Sequence, residues 1–210
     1  MKMFKCSSIR VGLYELFIDP TFRSARKQVA REIYKRRLTR ILDICTALGT
    51  LTGYIRNREY KAHGLDIDIT KLRRGIRKAG YHSLTGADAT KIPFKDRLFD
   101  AVTFTYALHD KDHDVRVNIL TEAARVLKPG GRIIAIDYAP PWDFRSFLGH
   151  CFRYVTEAFS GHYRNGITFI RSGGIRPVFE KHGFTVETVE KHSRFFSAVL
   201  VVARKEQQQG

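Results

Sequence analysis

Between residues 98 and 108 the chain reads LFDAVTFTYAL, a near-continuous apolar run. A strand of that kind has to be covered on both faces, which calls for helices on either side of a parallel sheet. Short apolar runs alternate with longer helical patterns along the rest of the chain, as in successive βαβ units. RILDIC (40–45) is a β-rich run, followed by the small-residue turn TALGT and a helix through about Arg58. HGLDI (63–67) is a second strand. In TKLRRGIRKAG (70–80), Leu72, Ile76 and Ala79 fall at helical spacing and Gly80 supplies a C-cap. Ser83–Gly86 is a short third strand and 98–108 the fourth. DVRVNILTEAARVLK (114–128) puts Val115, Ile119, Ala123 and Val126 on one helical face. KPGG (128–131) breaks that helix, and RIIAIDY (132–138) is the fifth strand. TVETVE (185–190) and FSAVLVVARK (196–205) form a closing hairpin. The expected fold is α/β, a doubly wound, mostly parallel seven-stranded sheet with a C-terminal antiparallel hairpin. Residues 1–210 read as one domain. A basic helical segment covers 1–37, and an aromatic, histidine-bearing helical insertion over 142–182 is placed to act as a substrate lid.

Composition narrows the class. A chain of 210 residues buries a substantial core without disulfides or a metal. Cys6, Cys45 and Cys151 are odd in number and widely spaced, so they form neither a disulfide framework nor a zinc pattern. A reducing, cytoplasmic setting suits them. No apolar run approaches the roughly 20 residues needed to span a bilayer, and the first residues lack the apolar segment of a signal peptide. The expectation is a soluble or peripheral protein. The net charge is +16, and residues 1–40 hold eleven Lys/Arg against Glu15, Asp19 and Glu32. Such a field draws nucleic acid, acidic lipid headgroups or an anionic substrate. The same charge also suits a merely solvated face.

A doubly wound sheet binds its ligand outside the carboxyl ends of its strands. Asp43 lies near the end of the first strand, Asp66 ends the second and Asp88 follows the third. Acids at strand ends often only cap helices. However, Asp66 follows Asp43 at close to the roughly 20-residue interval at which an acidic side chain takes ribose hydroxyls in a nucleotide-binding βαβ unit. The small residues after Asp43 let a ligand approach the backbone.

ILDICTALGT resembles the first motif of class I S-adenosylmethionine (SAM)-dependent methyltransferases. HGLDIDITKL resembles the ribose-binding second motif, LTGADATKIPFKDRLFDAV the third and fourth, and EAARVLKPGGRIIAIDY the segment leading into strand five. The resemblance covers roughly residues 38–138. Among subfamilies the chain is most similar to the ubiquinone/menaquinone-biosynthesis C-methyltransferases, more loosely supported by YELFIDPTF and YRNGITFIRSGGIRPVFEKHGF outside the core. The resemblance implies a Rossmann-like methyltransferase fold with SAM as cofactor. By it, Asp43 and the backbone at Cys45 and Gly49 hold the methionine end. Asp66 accepts from the ribose hydroxyls, Ile67 packs on adenine, Asp88 and Ala89 read the adenine edge, and Thr105 faces the cofactor. One departure stands out. Cys45, Ala47 and Gly49 occupy the small-residue positions of the first motif, and only the last is glycine. If position 47 requires positive φ, alanine there costs on the order of 1 kcal/mol.

Methyl transfer is an in-line displacement whose electrophile the cofactor already activates. The protein aligns the reactants and excludes water. A quinol acceptor also has to lose a proton, and His109, at the carboxyl end of strand four, is the candidate base, tuned by Asp110 or Asp112. A histidine there is as readily a packing or helix-capping residue. His150, His162 and Tyr163 fall in the lid. Trp142 and the stretch Phe144–Phe159 are candidates for an apolar substrate pocket, or for ordinary core. The expected function is transfer of a methyl group to a small or lipid-like acceptor such as a quinol or phospholipid, with the basic N-terminal segment docking on an anionic membrane. An RNA methyltransferase is the alternative enzyme. Strand four ends in TYAL rather than the Asn/Asp-Pro-Pro-aromatic sequence of amino-methylating nucleic-acid enzymes, and no RNA-binding module is appended. A third alternative is a non-catalytic protein whose first motif has decayed.

Overall fold

The computed structural model describes residues 11–12, 15–16, 19–55, 59–80, 83–158, 163–193 and 197–205. Seven strands form one sheet: β1 (Arg40–Ile44), β2 (Lys61–Asp66), β3 (Leu84–Gly86), β4 (Phe99–Thr105), β5 (Leu127–Tyr138), β6 (Phe184–Ser193) and β7 (Ala198–Lys205). Their order is β3-β2-β1-β4-β5-β7-β6. The first five run parallel, and β7 inserts antiparallel between β5 and β6. The expected doubly wound sheet with its C-terminal hairpin is therefore present. The apolar run that demanded cover on both faces has it: Ala101, Val102, Thr103 and Phe104 of β4 are fully buried.

Helices α1 (Arg23–Lys35), α2 (Thr50–Ile55), α3 (Ile69–Ala79), α4 (His113–Val126), α5 (Phe144–Ala158), α6 (Tyr163–Arg171) and α7 (Ile175–Glu180) complete the fold. In α3 the Asp68 carboxylate caps the N-terminus by accepting from the Thr70 and Lys71 amides. Gly80 ends the helix in the left-handed conformation at φ 64°, the C-cap its position suggested. The helix after β1 is described from Thr50 to Ile55, and residues 56–58, where its expected end falls, lie outside the described set. One boundary differs from expectation. KPGG does not separate α4 from β5. The strand already starts at Leu127, and the Pro-Gly turn is absorbed as a break in register between the pairs Phe99–Leu127 and Ala101–Arg132.

Of the basic N-terminal segment, residues 1–10, 13–14 and 17–18 lie outside the described set, and the described part is only partly a free cationic face. A short turn of 3-10 helix, Asp19–Phe22, leads into α1. Arg26 is buried and paired with Asp19 at 2.7 Å. Arg36 pairs with Glu32 of its own helix and with Glu187 of β6. The outward residues Arg23, Lys27, Arg31 and Lys35 remain exposed along one line of the helix.

Candidate active site

β1 runs out at Ile44, and the chain turns through Cys45–Gly49 into α2. Cys45 (φ 59°), Ala47 (φ 54°) and Gly49 (φ 75°) all adopt left-handed backbone. Position 47 therefore does require positive φ, and Cys45 carries the same strain, about 1–2 kcal/mol for a residue with a Cβ. The surroundings hold the turn in place. The Thr46 amide donates to the Leu65 carbonyl (3.0 Å), the Ala47 amide to Asp66 Oδ2 (2.8 Å) and the Gly49 amide to the Thr46 carbonyl (3.0 Å). Behind the loop, Gly75 of α3 allows the Leu48 backbone to press against the helix. A Cβ at 75 would lie 2.0 Å from the Leu48 carbonyl oxygen.

The three strand-end acids have separate duties. Asp43 is buried and accepts from the hydroxyls of Thr46 (2.5 Å) and Thr103 (2.8 Å), fastening the loop to β4. Burial pushes its carboxyl up to about 6, against those hydrogen bonds and the nearby Arg26 charge. Asp66 accepts from the Ala47 and Asp68 amides, one on each oxygen, and so ties the first loop to the second. Each oxygen keeps further acceptor capacity. Asp88 accepts from the Thr90 amide in a local turn.

Beside them opens a cavity of about 350 Å³. Cys45, Asp66, Ile67, Asp88 and Ala89 line it together, joined by Lys111 and by Val115 and Ile119 of α4. Five of the eight expected cofactor residues thus meet on one cavity, while Asp43 and Gly49 stand behind its wall and Thr105 lies outside its lining. Carboxylates that accept from sugar hydroxyls, aliphatic faces for a purine and a tight backbone turn make a donor and acceptor set that SAM fits. The thiol of Cys45 is pushed by burial up to about 12, so it is neutral in this wall.

His109 lies on the β4–β5 side of the same strand ends. Its Nδ1 is 2.8 Å from Oδ1 of Asp137, a fully buried carboxylate at the end of β5. Asp137 also accepts from the amides of Leu108 (2.9 Å), His109 (3.3 Å) and Tyr138 (2.9 Å). Burial alone would raise its carboxyl. The adjacent His109, through charge and hydrogen bond, and the amides of Leu108 and Tyr138 outweigh burial and hold it below the ordinary range. Asp110 pairs with Lys111 at 2.6 Å, and Asp112 precedes α4, where its carbonyl accepts from the Arg116 amide. An aromatic wall borders the dyad. Phe22 stacks on Tyr106 at 4.7 Å, Tyr106 lies 5.2 Å from Tyr138, and Tyr138 meets His109 edge-on at 4.7 Å and His150 at 6.0 Å. Among the described residues, Thr105 Oγ1 and Trp142 Nε1 are buried without a hydrogen-bond partner. His150 is buried. His162 and the side chain of Tyr163 lie outside the described residues. Phe144 and Phe147 face solvent, 74% and 53% exposed, and the side chains from Phe152 to Phe159 lie outside the described residues. The buried side of α5 is instead formed by Ser146, Gly149 and His150.

Asp137 and Lys111 were not singled out from the sequence. For Asp137 a signal existed, since it is the one charge in the buried run IIAIDY, and a buried charge needs a partner. Lys111 had none: a lysine in a polar turn reads as solvated.

Residues 41–131 match a family described as a methyltransferase domain. The chain is 37% identical over 119 residues to a demethylmenaquinone methyltransferase of Streptomyces avermitilis, covering 55% of this chain and 49% of that protein. It is 33% identical over 120 residues to the ubiquinone/menaquinone biosynthesis C-methyltransferase UbiE of Desulfotalea psychrophila, covering 54% and 48%. The chain thus spans about half the length of these curated relatives. Among solved structures, the N-methyltransferase NodS from Bradyrhizobium japonicum in complex with S-adenosyl-L-homocysteine superposes with a TM-score of 0.65 at 16% identity, over 92% of each chain. A SAM-dependent methyltransferase from Aquifex aeolicus gives 0.62 at 16% identity, over 95% of this chain and 99% of that one. With these strands in this order and these acids around one cavity, residues 41–131 are similar to a methyltransferase domain, in a sheet of the fold that SAM-dependent methyltransferases share.

Proposed function

We propose that the chain moves a methyl group from SAM to a carbon or oxygen of a quinol-like acceptor bound against Tyr106 and Tyr138. The observation that carries this is the His109–Asp137 dyad at the carboxyl ends of β4 and β5, bordered by the rings of Tyr106 and Tyr138. SAM supplies an electrophilic methyl on a sulfonium, so no further activation of the donor is asked of the protein. Asp66, Ile67, Asp88 and Ala89 hold its nucleoside end, and the Cys45–Gly49 turn, fastened by Asp43, its methionine end. A ring hydroxyl becomes a good nucleophile, at oxygen or at the adjacent carbon, once its proton leaves. His109 accepts that proton. Asp137 takes the Nδ1–H, which fixes Nε2 as the basic nitrogen and stabilises the imidazolium that forms. Tyr106 and Tyr138 present ring faces to a planar acceptor, and α5 and α6 cover the strand ends as a lid that limits water. The demethylmenaquinone and ubiquinone/menaquinone names of the relatives support a quinone-type acceptor.

The test is turnover of a short-chain, water-soluble quinol with SAM, the product weighed by mass spectrometry. His109→Gln and Asp137→Asn should each lower kcat by roughly 10²–10⁴-fold, with S-adenosylhomocysteine affinity unchanged. Full kcat in His109→Gln would remove the base from the mechanism. Methylation of RNA but of no quinol would move the acceptor class to nucleic acid.

A further inference from the structure

Among the described side chains of α5, the exposed large apolar ones are Phe144 (74%), Phe147 (53%) and Leu148 (46%). Cys151, also exposed, continues the row. These positions follow the i, i+3, i+4, i+7 spacing of a single helical face. The opposite face, Ser146, Gly149 and His150, is buried and puts the His150 ring 6.0 Å from Tyr138 in the aromatic wall. One side of α5 therefore rests on the proposed acceptor site while the other shows water a continuous apolar stripe. A soluble helix does the reverse, and a stripe of this kind marks a surface built to be covered.

Its size and its charges say what covers it. The exposed parts of these side chains come to roughly 300 Å², well short of the roughly 800 Å² per partner that a stable protein interface buries. The stripe is a wedge rather than a dimer face. Exposed cations gather at the same end of the molecule. Exposed Arg145 lies beside the stripe on α5, and exposed Arg164 is the second residue of α6, which packs on α5. Arg23 follows Phe22, which the ring stack through Tyr106 and Tyr138 joins to His150. A chain of net charge +16 carries a cation excess to any anionic surface. Among the described residues no helix is long and apolar enough to cross a membrane, so such a helix would lie in the interface plane.

We propose that the Phe144–Phe147–Leu148–Cys151 face of α5 inserts into the surface of an anionic bilayer and seats the acceptor site against it. This rests on the proposed function only for its purpose: a lipid-borne acceptor would then enter without crossing water. Trp142, the chain's one tryptophan, is half-buried with Lys191 over its ring, so insertion is read from a tryptophan placed on the stripe, Leu148→Trp in a Trp142→Phe background. With mixed phosphatidylcholine and phosphatidylglycerol vesicles, fluorescence of that variant should be quenched by lipids brominated high on the acyl chain, and the protein should co-sediment. Phosphatidylcholine alone should give neither effect. The F144S/F147S double variant should lose vesicle partitioning by about tenfold or more while binding S-adenosylhomocysteine as tightly as the parent, which verifies its fold. An unquenched tryptophan in the Leu148→Trp variant, or a double variant that partitions like the parent, would overturn the proposal. So would a parent dimer in sedimentation equilibrium that the double variant abolishes, since the stripe would then be covered by a second copy. Turnover of the short-chain quinol needs no vesicle and quenching needs no acceptor, so the two proposals fail separately.

Discussion

Asp43 carries a charge that its surroundings disfavour, and replacing it tests both the fold and the site. Its carboxyl is pushed from the ordinary 3.8 to about 6, chiefly by burial. Across that window the folded protein binds more protons than the unfolded chain, so stability falls as pH rises, and the cost is complete above about pH 6. Two units at about 1.4 kcal/mol each make it about 3 kcal/mol. Asparagine keeps the shape and removes the charge. The hydroxyls of Thr46 and Thr103 donate or accept by rotation, so both can pair with the amide. Asp43→Asn should therefore match the parent below about pH 4 and exceed it by about 3 kcal/mol above about pH 7, which for a domain of this size raises Tm by roughly 6–12 °C. Urea or thermal unfolding followed over that pH range measures it. A parent that is the more stable protein at neutral pH, or a difference that does not change with pH, would refute the reasoning. On the proposed function the charge is kept for the methionine end of the cofactor. The stabilised variant should accordingly bind S-adenosylhomocysteine about tenfold or more weakly in calorimetry, a trade of stability for function.

Three further substitutions probe the scaffold. Gly75→Ala places a Cβ against the Leu48 carbonyl at a separation no structure tolerates. It should cost about 3 kcal/mol or more in unfolding experiments and disorder the loop, with loss of S-adenosylhomocysteine binding. Asp66→Ala removes the acceptor for the Ala47 and Asp68 amides along with the proposed ribose contact. Calorimetry should show cofactor affinity down by about a hundredfold, and unchanged affinity would reject the ribose assignment. Glu187 is the shared counter-ion of Arg36, Arg132 and Arg204, and its hydrogen bond from Arg132 leads the causes that hold its carboxyl below the usual range. Glu187→Gln should cost about 1–2 kcal/mol. Because the folded value is depressed, that contribution is present above the ordinary carboxylate pKa and is lost as pH falls through the folded one, so parent and variant should converge in acid denaturation.

How much of this was legible in the sequence depended on how local the cause is. The βαβ alternation, the Gly80 cap and the closing hairpin are set by neighbours in the chain, and each stands where the residues put it. The acids Asp66 and Asp88 fall on one cavity because strand ends in a parallel sheet converge whatever lies between them. His109 stands just beyond the carboxyl end of β4, where its position in the chain put it. What spacing could not give was its partner: Asp110 and Asp112 are near in sequence, but Asp137 is near in space, because β5 pairs with β4 and brings Ile136 opposite Thr105. The basic N-terminal segment was legible only in part for the same reason. Counted as charge it is a field, yet packed against the sheet it spends Arg26 on Asp19 and Arg36 on Glu187. The outward side of α5 was the reverse case. Its phenylalanines read as pocket or core by composition, and only the direction of the Ser146–Gly149–His150 face shows that they point to water.

The first motif makes the same point about strain. By sequence, alanine at position 47 raises the prospect of a decayed loop. The structure assigns the position the left-handed backbone that made alanine a concern, and Cys45 shares it. Yet the turn keeps its shape, because its conformation is over-determined from three sides. The Asp66 carboxylate takes the Ala47 amide, the Asp43 carboxylate takes the Thr46 hydroxyl, and Gly75 clears room for the Leu48 carbonyl. Strain of 1–2 kcal/mol at each of two residues persists only where the surroundings fix it so firmly. The glycines missing from the loop are thus compensated by a glycine on the facing helix and by two acids beneath it. Those three supports, more than the identity of residue 47, decide whether the loop is competent.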